Sequence, residues 1–149
     1  GIIKNNFMKE AAISFYFKNE NISDLWAMGN QYGNKIIDTM IRDKAKEKIK
    51  WHQNNGDKII VVSASANIWL ESWCLKNSVD LIATELEEKD GKVTGKLING
   101  NCFGNEKVVR VKKAVNTKDY EEIYAYGDSR GDRELLDFAD KSFFKPFRD

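Results

Sequence analysis

The sequence contains few of the residues that build disulfide, zinc or histidine-dependent sites: two cysteines, one histidine and one proline among 149 residues. Cys74 and Cys102 form no CxxC pair, which excludes a disulfide framework and a zinc-finger spacing. We expect Cys74, in an apolar helical stretch, to be a buried packing thiol. His52 lies in a basic stretch that predicts an exposed helix end, where the helix dipole favours it as a terminal residue over a general base. Ser-His and Cys-His catalysis are therefore disfavoured.

An excess of one charge and a long apolar run are also missing. The 24 basic residues nearly balance the 23 acidic ones, so nothing indicates a nucleic acid or an anionic membrane surface as partner. No apolar run approaches the length of a membrane span, and the first residues lack the layout of a signal peptide. A hydrophobic content of 42% is enough for one ordinary domain with a core. We expect a cytoplasmic protein.

The chain changes character after about residue 53. Residues 1–41 carry helical patterns only, with Ser23 as a candidate N-cap, whereas residues 42–149 alternate strands with helices after one further helix at 42–53. Such alternation predicts an α/β fold with a mostly parallel sheet covered by helices. The hairpin signature Lys89-Asp90-Gly91-Lys92 interrupts it. Strands are predicted at 58–62, 79–84, 123–126 and 143–144, and helices in the second part at 66–76, 106–115 and 133–139.

One short turn, Tyr126-Gly127-Asp128-Ser129-Arg130-Gly131-Asp132, places two carboxylates at the carboxyl end of a predicted strand. Ligands collect at that edge of open α/β sheets. Two carboxylates on one turn form an anionic oxygen site suited to Mg²⁺ and, through it, to phosphate. Asp128 in an Asx turn and Asp132 as a helix cap are the ordinary alternative. The turn by itself slightly favours that alternative.

Two further polar residues stand where they could complete a phosphate site. Ser63 follows the strand 58–62, and Lys107 begins a helix after Gly104-Asn105. A hydroxyl and an ammonium can each take a phosphoryl oxygen, and carboxylates can hold the metal. Singly, Ser63 is more simply a helix cap and Lys107 a solvent-exposed lysine. Together with the acidic turn, they favour the metal interpretation at Asp128.

In this order and spacing, three stretches resemble motifs of the haloacid dehalogenase superfamily, in its phosphoserine-phosphatase-like branch with a helical cap. They are Ile59-Ile60-Val61-Val62-Ser63-Ala64-Ser65, Gly104-Asn105-Glu106-Lys107 and the acidic turn. The resemblance implies a Rossmann-like three-layer sandwich, with residues 1–41 as part of a helical cap and 42–149 as the core. It also implies a Mg²⁺-dependent hydrolase of a small phosphorylated substrate.

The resemblance assigns a role to each matching residue. Ser63 and Ala64 would bind the transferring phosphoryl group, and Lys107 would neutralise it. Asp128 would ligate Mg²⁺ directly. Asp132 would act on the water shell of the metal or orient its neighbours. Ser63, Lys107 and Asp132 would thus form the catalytic set, and Asp128 with Asp132 the metal set.

The family's Asp-x-Asp motif, which carries the nucleophile and the acid-base group on the first strand, is absent from this sequence. We expect that a segment of several dozen residues preceding Gly1 is missing and that this chain alone is inactive. The missing strand lies centrally in the family's sheet, so unpaired backbone would face a gap. Either the flanking strands close up, or a second copy of the chain or a separate peptide lends a strand.

Two other functions are alternatives for this sequence. A non-catalytic interaction module would present Phe15, Tyr16 and Trp26 to a partner, although a core role suits such aromatic residues better. A receiver-like phosphoacceptor domain also uses acids at strand ends with Mg²⁺. The order of serine, lysine and then the aspartate pair argues against the receiver.

Overall fold

The computed structural model describes residues 2–148 and the side chains of residues 8–148. None of the described helices is long and apolar enough to cross a membrane. The bounds agree with the predicted elements to within a few residues, apart from β2, which is longer than predicted. The helices are α1 Ile2–Phe17, α2 Ile22–Lys35, α3 Ile37–Met40, α4 Asp43–Asn54, α5 Asn67–Lys76, α6 Asn105–Ala114 and α7 Arg133–Phe138; the strands are β1 Ile60–Ala66, β2 Asp80–Lys89, β3 Lys92–Ile98, β4 Tyr124–Gly127 and β5 Lys141–Phe144.

The strands form a three-stranded sheet in the order β1-β2-β3 and a two-stranded sheet of β4 and β5. β1 pairs with β2 in parallel, as β4 does with β5, while β2 and β3 form the antiparallel hairpin predicted at Asp90-Gly91. The predicted α/β, Rossmann-like architecture is confirmed. Within residues 2–148 no ladder of hydrogen bonds joins β1 to β4. These two strands have therefore not closed up on each other.

The helix α2 packs unusually close to α5 because it presents glycine there. A Cβ atom at Gly29 would lie 1.9 Å from the Ile68 carbonyl oxygen, and one at Gly33 would lie 2.0 Å from Ser72 Oγ. Glycine costs about 1 kcal/mol of helix propensity relative to alanine. Here that cost is offset by the contact between the two helices.

The start of α2 differs from the prediction by two residues. Asn21, not Ser23, is the N-cap, since the Asn21 side chain accepts a hydrogen bond from the Ser23 backbone N–H at 2.9 Å. Both residue types favour this position, where the side-chain oxygen accepts from an N–H group of the first turn. Ser23 lies inside the first turn instead.

The helical first part and the sheet share one hydrophobic cluster. It joins Ile13 of α1 and Leu25 of α2 to residues of β1, α5, β2 and β3, and Trp26 packs against it. The boundary at residue 41 stays a prediction. Phe15 and Tyr16, by contrast, are 82% and 69% exposed, so the expectation of a core role is right for Trp26 and wrong for these two.

Both cysteines are buried free thiols. Cys74 is 2% exposed, and burial raises the pKa of its thiol to about 11. Burial also raises the pKa of the Cys102 thiol. A thiol of this kind is a packing group and not a nucleophile at neutral pH.

Candidate functional site

The cleft between the carboxyl ends of β1 and β4 has a volume of about 460 Å³. Parallel strands bring their carboxyl ends to one edge of a sheet, which is why residues far apart in the sequence meet there. All five residues predicted for the site line this one cleft: Ser63, Ala64, Lys107, Asp128 and Asp132.

Ser63 lies in a bulge of β1. The β1–β2 ladder pairs Val62 with Ile82 and then Ala66 with Thr84, so three residues of β1 oppose a single residue of β2. Bulges of this kind re-aim side chains at sheet rims. The helix that follows has Ala66 as its N-cap and no side-chain cap. The alternative of Ser63 as a helix cap is therefore wrong.

The Ser63 hydroxyl is held inside the bulge by its own loop. The Ser65 backbone N–H donates to Ser63 Oγ at 3.1 Å. A hydroxyl that accepts in this way keeps its proton for donation. Ser63 can thus donate a hydrogen bond to an anion in the cleft.

Lys107 is 5% exposed although it begins a helix of mixed polarity. Its Nζ donates to the Val62 carbonyl oxygen at 3.0 Å and to Asp132 Oδ1 at 2.5 Å. The alternative of a solvent-exposed lysine is wrong. A buried ammonium fixed at the end of β1 supplies positive charge at the floor of the cleft, where the low dielectric strengthens its attraction for an anion.

Asp132 is surrounded by hydrogen-bond donors. Its Oδ2 accepts from the backbone N–H groups of Asp128 and Ser129 at 3.1 and 3.0 Å and from Ser129 Oγ at 2.8 Å. A Cβ at Gly127 would lie 2.6 Å from the Asp132 Cβ, so glycine leaves room for this arrangement. Burial raises the pKa of Asp132, but the hydrogen bonds from Lys107 and Ser129 outweigh it and hold that pKa below its ordinary value. These contacts favour an orienting role over direct metal ligation.

Asp128 faces the open side of the cleft. Its Oδ2 accepts from Arg148 Nε at 3.1 Å and from Arg148 Nη2 at 2.8 Å. Both side chains are about half exposed, at 53% for Asp128 and 48% for Arg148. Nothing in the sequence signals Arg148, which lies 20 residues further along. The arginine thus occupies one of the two carboxylate oxygens of Asp128.

The donor set of the cleft fits Mg²⁺ in part. In the part of the chain that the structure describes, no three or more His, Cys, Asp or Glu residues are grouped so that they could hold a metal ion. Mg²⁺, however, is usually bound by one or two carboxylates together with waters and substrate phosphate. Asp128 can supply one such carboxylate, whereas both oxygens of Asp132 already accept hydrogen bonds.

His52 is buried, although the sequence predicts an exposed position for it. It is 8% exposed, not exposed as expected, with Nδ1 at 2.7 Å from Asp57 Oδ2 and Nε2 at 2.9 Å from the Tyr126 hydroxyl. Tyr126 lines the cleft and stacks on Phe143, with ring centroids 5.0 Å apart. The contact spans 74 residues, and no local pattern could have revealed it. His52 joins α4 to the strand that carries the acidic turn.

A cleft at the carboxyl ends of parallel strands is where α/β proteins bind their ligands, and this one carries a buried lysine, a bulged serine and two aspartates. The model of the haloacid dehalogenase-like hydrolase family matches residues 5–137. The chain belongs to this family, as the motifs predicted.

The chain is also similar to a curated protein and to several solved structures. Protein CicA of Caulobacter vibrioides is 27% identical over 143 residues, which cover 95% of this chain and 64% of that protein. The chain thus spans less than two thirds of this curated relative. A protein of unknown function from Bordetella pertussis matches with a TM-score of 0.76 at 24% identity, over 95% of this chain and 64% of the other. A substrate-bound phosphoserine phosphatase matches with a TM-score of 0.56 at 27% identity, over 67% and 49%. The match to the phosphoserine phosphatase supports the phosphoserine-phosphatase-like branch.

Proposed function

We propose that this chain carries the phosphoryl-binding and Mg²⁺-binding part of a hydrolase that cleaves a small phosphomonoester through a phospho-aspartate. The observation that carries the proposal is the buried Lys107 ammonium, fixed by Val62 and Asp132 at the floor of a cleft that Ser63 also lines. Such preorganised donors stabilise the charge that develops on a transferring phosphoryl group. Lys107 and Ser63 bind that group, and Ala64 lines the same wall of the cleft.

Asp128 is the residue that holds Mg²⁺ in this proposal. The bound metal would offset phosphate charge and polarise the phosphoryl oxygens. Asp132 keeps Lys107 and the backbone N–H groups of the turn in place, and Asp128 is part of that turn. The support is the geometry of the acidic turn and the family to which the chain belongs.

The nucleophile is proposed to lie on a strand outside these 149 residues. The two aspartates of the cleft have other tasks in this proposal, because Lys107 and the turn engage Asp132 and Asp128 holds the metal. β1 and β4 flank the cleft without a ladder between them, and a strand there would gain backbone partners on both sides. The strand that carries the nucleophile can come from the same polypeptide, a second copy or a separate peptide.

The two buried free thiols agree with a reducing, cytoplasmic location.

Turnover of p-nitrophenyl phosphate with Mg²⁺ tests the proposal, on this chain alone and on the chain with a strand-bearing segment restored. We expect no turnover from the first and metal-dependent turnover from the second. Asp128→Asn in the active form should remove most of the Mg²⁺-dependent rate, whereas Asp24→Asn, at an exposed position of α2, should not. Turnover by this chain alone would contradict the placement of the nucleophile, and an unchanged rate in Asp128→Asn would remove Asp128 from the metal site.

The second candidate is a non-catalytic module with the same fold, favoured by the exposed aromatic pair on α1. Phe15 and Tyr16 meet edge to face with ring centroids 5.0 Å apart. Exposed aromatic residues of this kind often anchor protein contacts. Failure of the restored protein to bind inorganic phosphate would favour this candidate over the hydrolase.

A further inference from the structure

A buried polar network lies beneath the bulge that carries Ser63. Its centre is Thr84 of β2, which is 0% exposed. Thr84 Oγ1 lies 2.9 Å from the Ala64 carbonyl oxygen and 2.9 Å from Asn101 Oδ1, and it accepts a hydrogen bond from the Cys102 backbone N–H at 3.0 Å. Thr84 is not among the residues that line the cleft. Any effect of Thr84 on the cleft must therefore pass through another group.

The Ala64–Ser65 peptide group provides that connection. Its carbonyl oxygen meets the Thr84 hydroxyl, and its N–H donates to Ser63 Oγ. A peptide group is planar and rigid, so fixing its C=O end fixes the direction of its N–H end. One rigid plane thus links the Thr84 hydroxyl to the Ser63 hydroxyl.

We propose that Thr84 is a positioning residue that sets the orientation of the Ser63 hydroxyl for phosphoryl binding. The inference rests on the proposed function, because it assigns Thr84 to the same phosphoryl site. In the bulge the half-buried Ala64 carbonyl has left the β1–β2 ladder, so it needs a donor from elsewhere. Thr84 supplies that donor from the neighbouring strand at the point where the ladder resumes.

The hydrogen-bond capacity of the network agrees with this role. A threonine hydroxyl has one proton, so it can donate to only one of its two acceptor neighbours. With the Asn101 carboxamide rotated by 180°, its NH₂ group would donate to Thr84 and leave the proton for Ala64. Lys9 of α1 also donates to the Ala64 carbonyl oxygen. The carbonyl is therefore held from the sheet and from the helical first part together.

The test measures binding of inorganic phosphate by calorimetry to the whole chain and to variants of Thr84, Thr94 and Ser63. Thr84→Val keeps the shape and removes the hydroxyl, and Thr84→Ser keeps the hydroxyl. We expect Thr84→Val to weaken phosphate binding about fivefold, which corresponds to the loss of one ordinary hydrogen bond. Thr84→Ser should stay within about twofold of the unmodified chain. Thr94→Val is the matched control, because Thr94 of β3 is also hydrogen-bonded, to Glu87, but lies outside the cleft lining.

A double substitution separates positioning from a merely structural effect. If Thr84 acts through Ser63, Thr84→Val should weaken phosphate binding no further once Ser63→Ala is present. Equal losses from Thr84→Val in both backgrounds would overturn the proposal, as would a loss from Thr94→Val of the same size. Should Thr84→Val fail to fold, full phosphate binding by Thr84→Ala would overturn it equally. Absence of phosphate binding by the unmodified chain would instead refute the proposed function.

Discussion

Asp132 and Asp128 lie four residues apart on one turn, and each is paired with a cation, yet the two pairs differ in almost every other respect. The side chains of Asp132 and Lys107 are 15% and 7% exposed, whereas those of Asp128 and Arg148 are 53% and 48% exposed. The Lys107 pair joins α6 to the turn in the interior. The Arg148 pair joins the turn to the segment that follows β5, at the surface.

This difference assigns different tasks to the two carboxylates. Breaking a buried pair leaves an uncompensated charge and costs several kcal/mol, whereas an exposed pair contributes about 0–1 kcal/mol. The inner pair is therefore a fixed part of the site. The outer pair is weak enough for a divalent ion to replace the arginine. In the proposed function, the turn thus uses Asp132 as a structural carboxylate and Asp128 as the carboxylate that exchanges its partner.

The largest effect is expected from Lys107→Met, which keeps the length of the side chain and removes its charge. Asp132 would be left buried without its cation, so we expect a loss of about 3–5 kcal/mol in the free energy of unfolding. Urea denaturation followed by tryptophan fluorescence measures it. Lys113→Ala, at an exposed position of the same helix, is the control and should change stability by less than about 0.5 kcal/mol. Equal losses in the two variants would show that the Lys107–Asp132 pair makes no particular contribution to stability.

A smaller effect is expected in the pH dependence of stability. Hydrogen bonds hold the pKa of Asp132 below its ordinary value of 3.8, so its contribution to stability is complete above that pH. The contribution is lost as the pH falls from 3.8 through the lower folded-state pKa. Asp132→Asn should therefore reduce the slope of stability against pH below 3.8, by at most about 1.4 kcal/mol per pH unit. Urea titrations between about pH 5 and 2 measure it, and parallel curves for both proteins would contradict the assignment.

Much of the fold could be predicted because its signals are local. The β-branched run 59–62, the hairpin at Asp90-Gly91 and the helical spacing around Trp73 each specify one element. Their alternation then specified the parallel pairs. Ser63, Asp128 and Asp132 could be expected near one another for a related reason, since the carboxyl ends of parallel strands meet at one edge. The roles of these residues, and of Ala64 and Lys107, follow from the resemblance to the family and stay predictions.

The features that escaped prediction depend on contacts between distant segments. The buried His52 contacts the hydroxyl of Tyr126, which lies 74 residues further along the chain. Arg148 contacts Asp128, 20 residues earlier in the chain. The bulge at Ser63 is recognised only from the pairing of β1 with β2, in which Ala66 lies opposite Thr84. Exposure of Phe15 and Tyr16 depends equally on which face of α1 the sheet covers. The spacing of apolar residues shows which face of a helix is apolar, but not which element packs against that face.

Arg148→Ala tests the exposed Arg148–Asp128 pair and has the smallest expected effect. Since Arg148 and Mg²⁺ would use the same Asp128 carboxylate, removing the arginine should tighten Mg²⁺ binding by about two- to fivefold, the range that an exposed ion pair allows. Calorimetric titration with MgCl₂ measures the affinity without relying on turnover. Arg130→Ala is the matched control, because Arg130 is exposed on the same turn and its loss changes the net charge equally. A tightening of the same size in both variants would show that general charge and not the Arg148 contact governs binding, while unchanged affinity in both would mean that Mg²⁺ does not use the carboxylate oxygen held by Arg148.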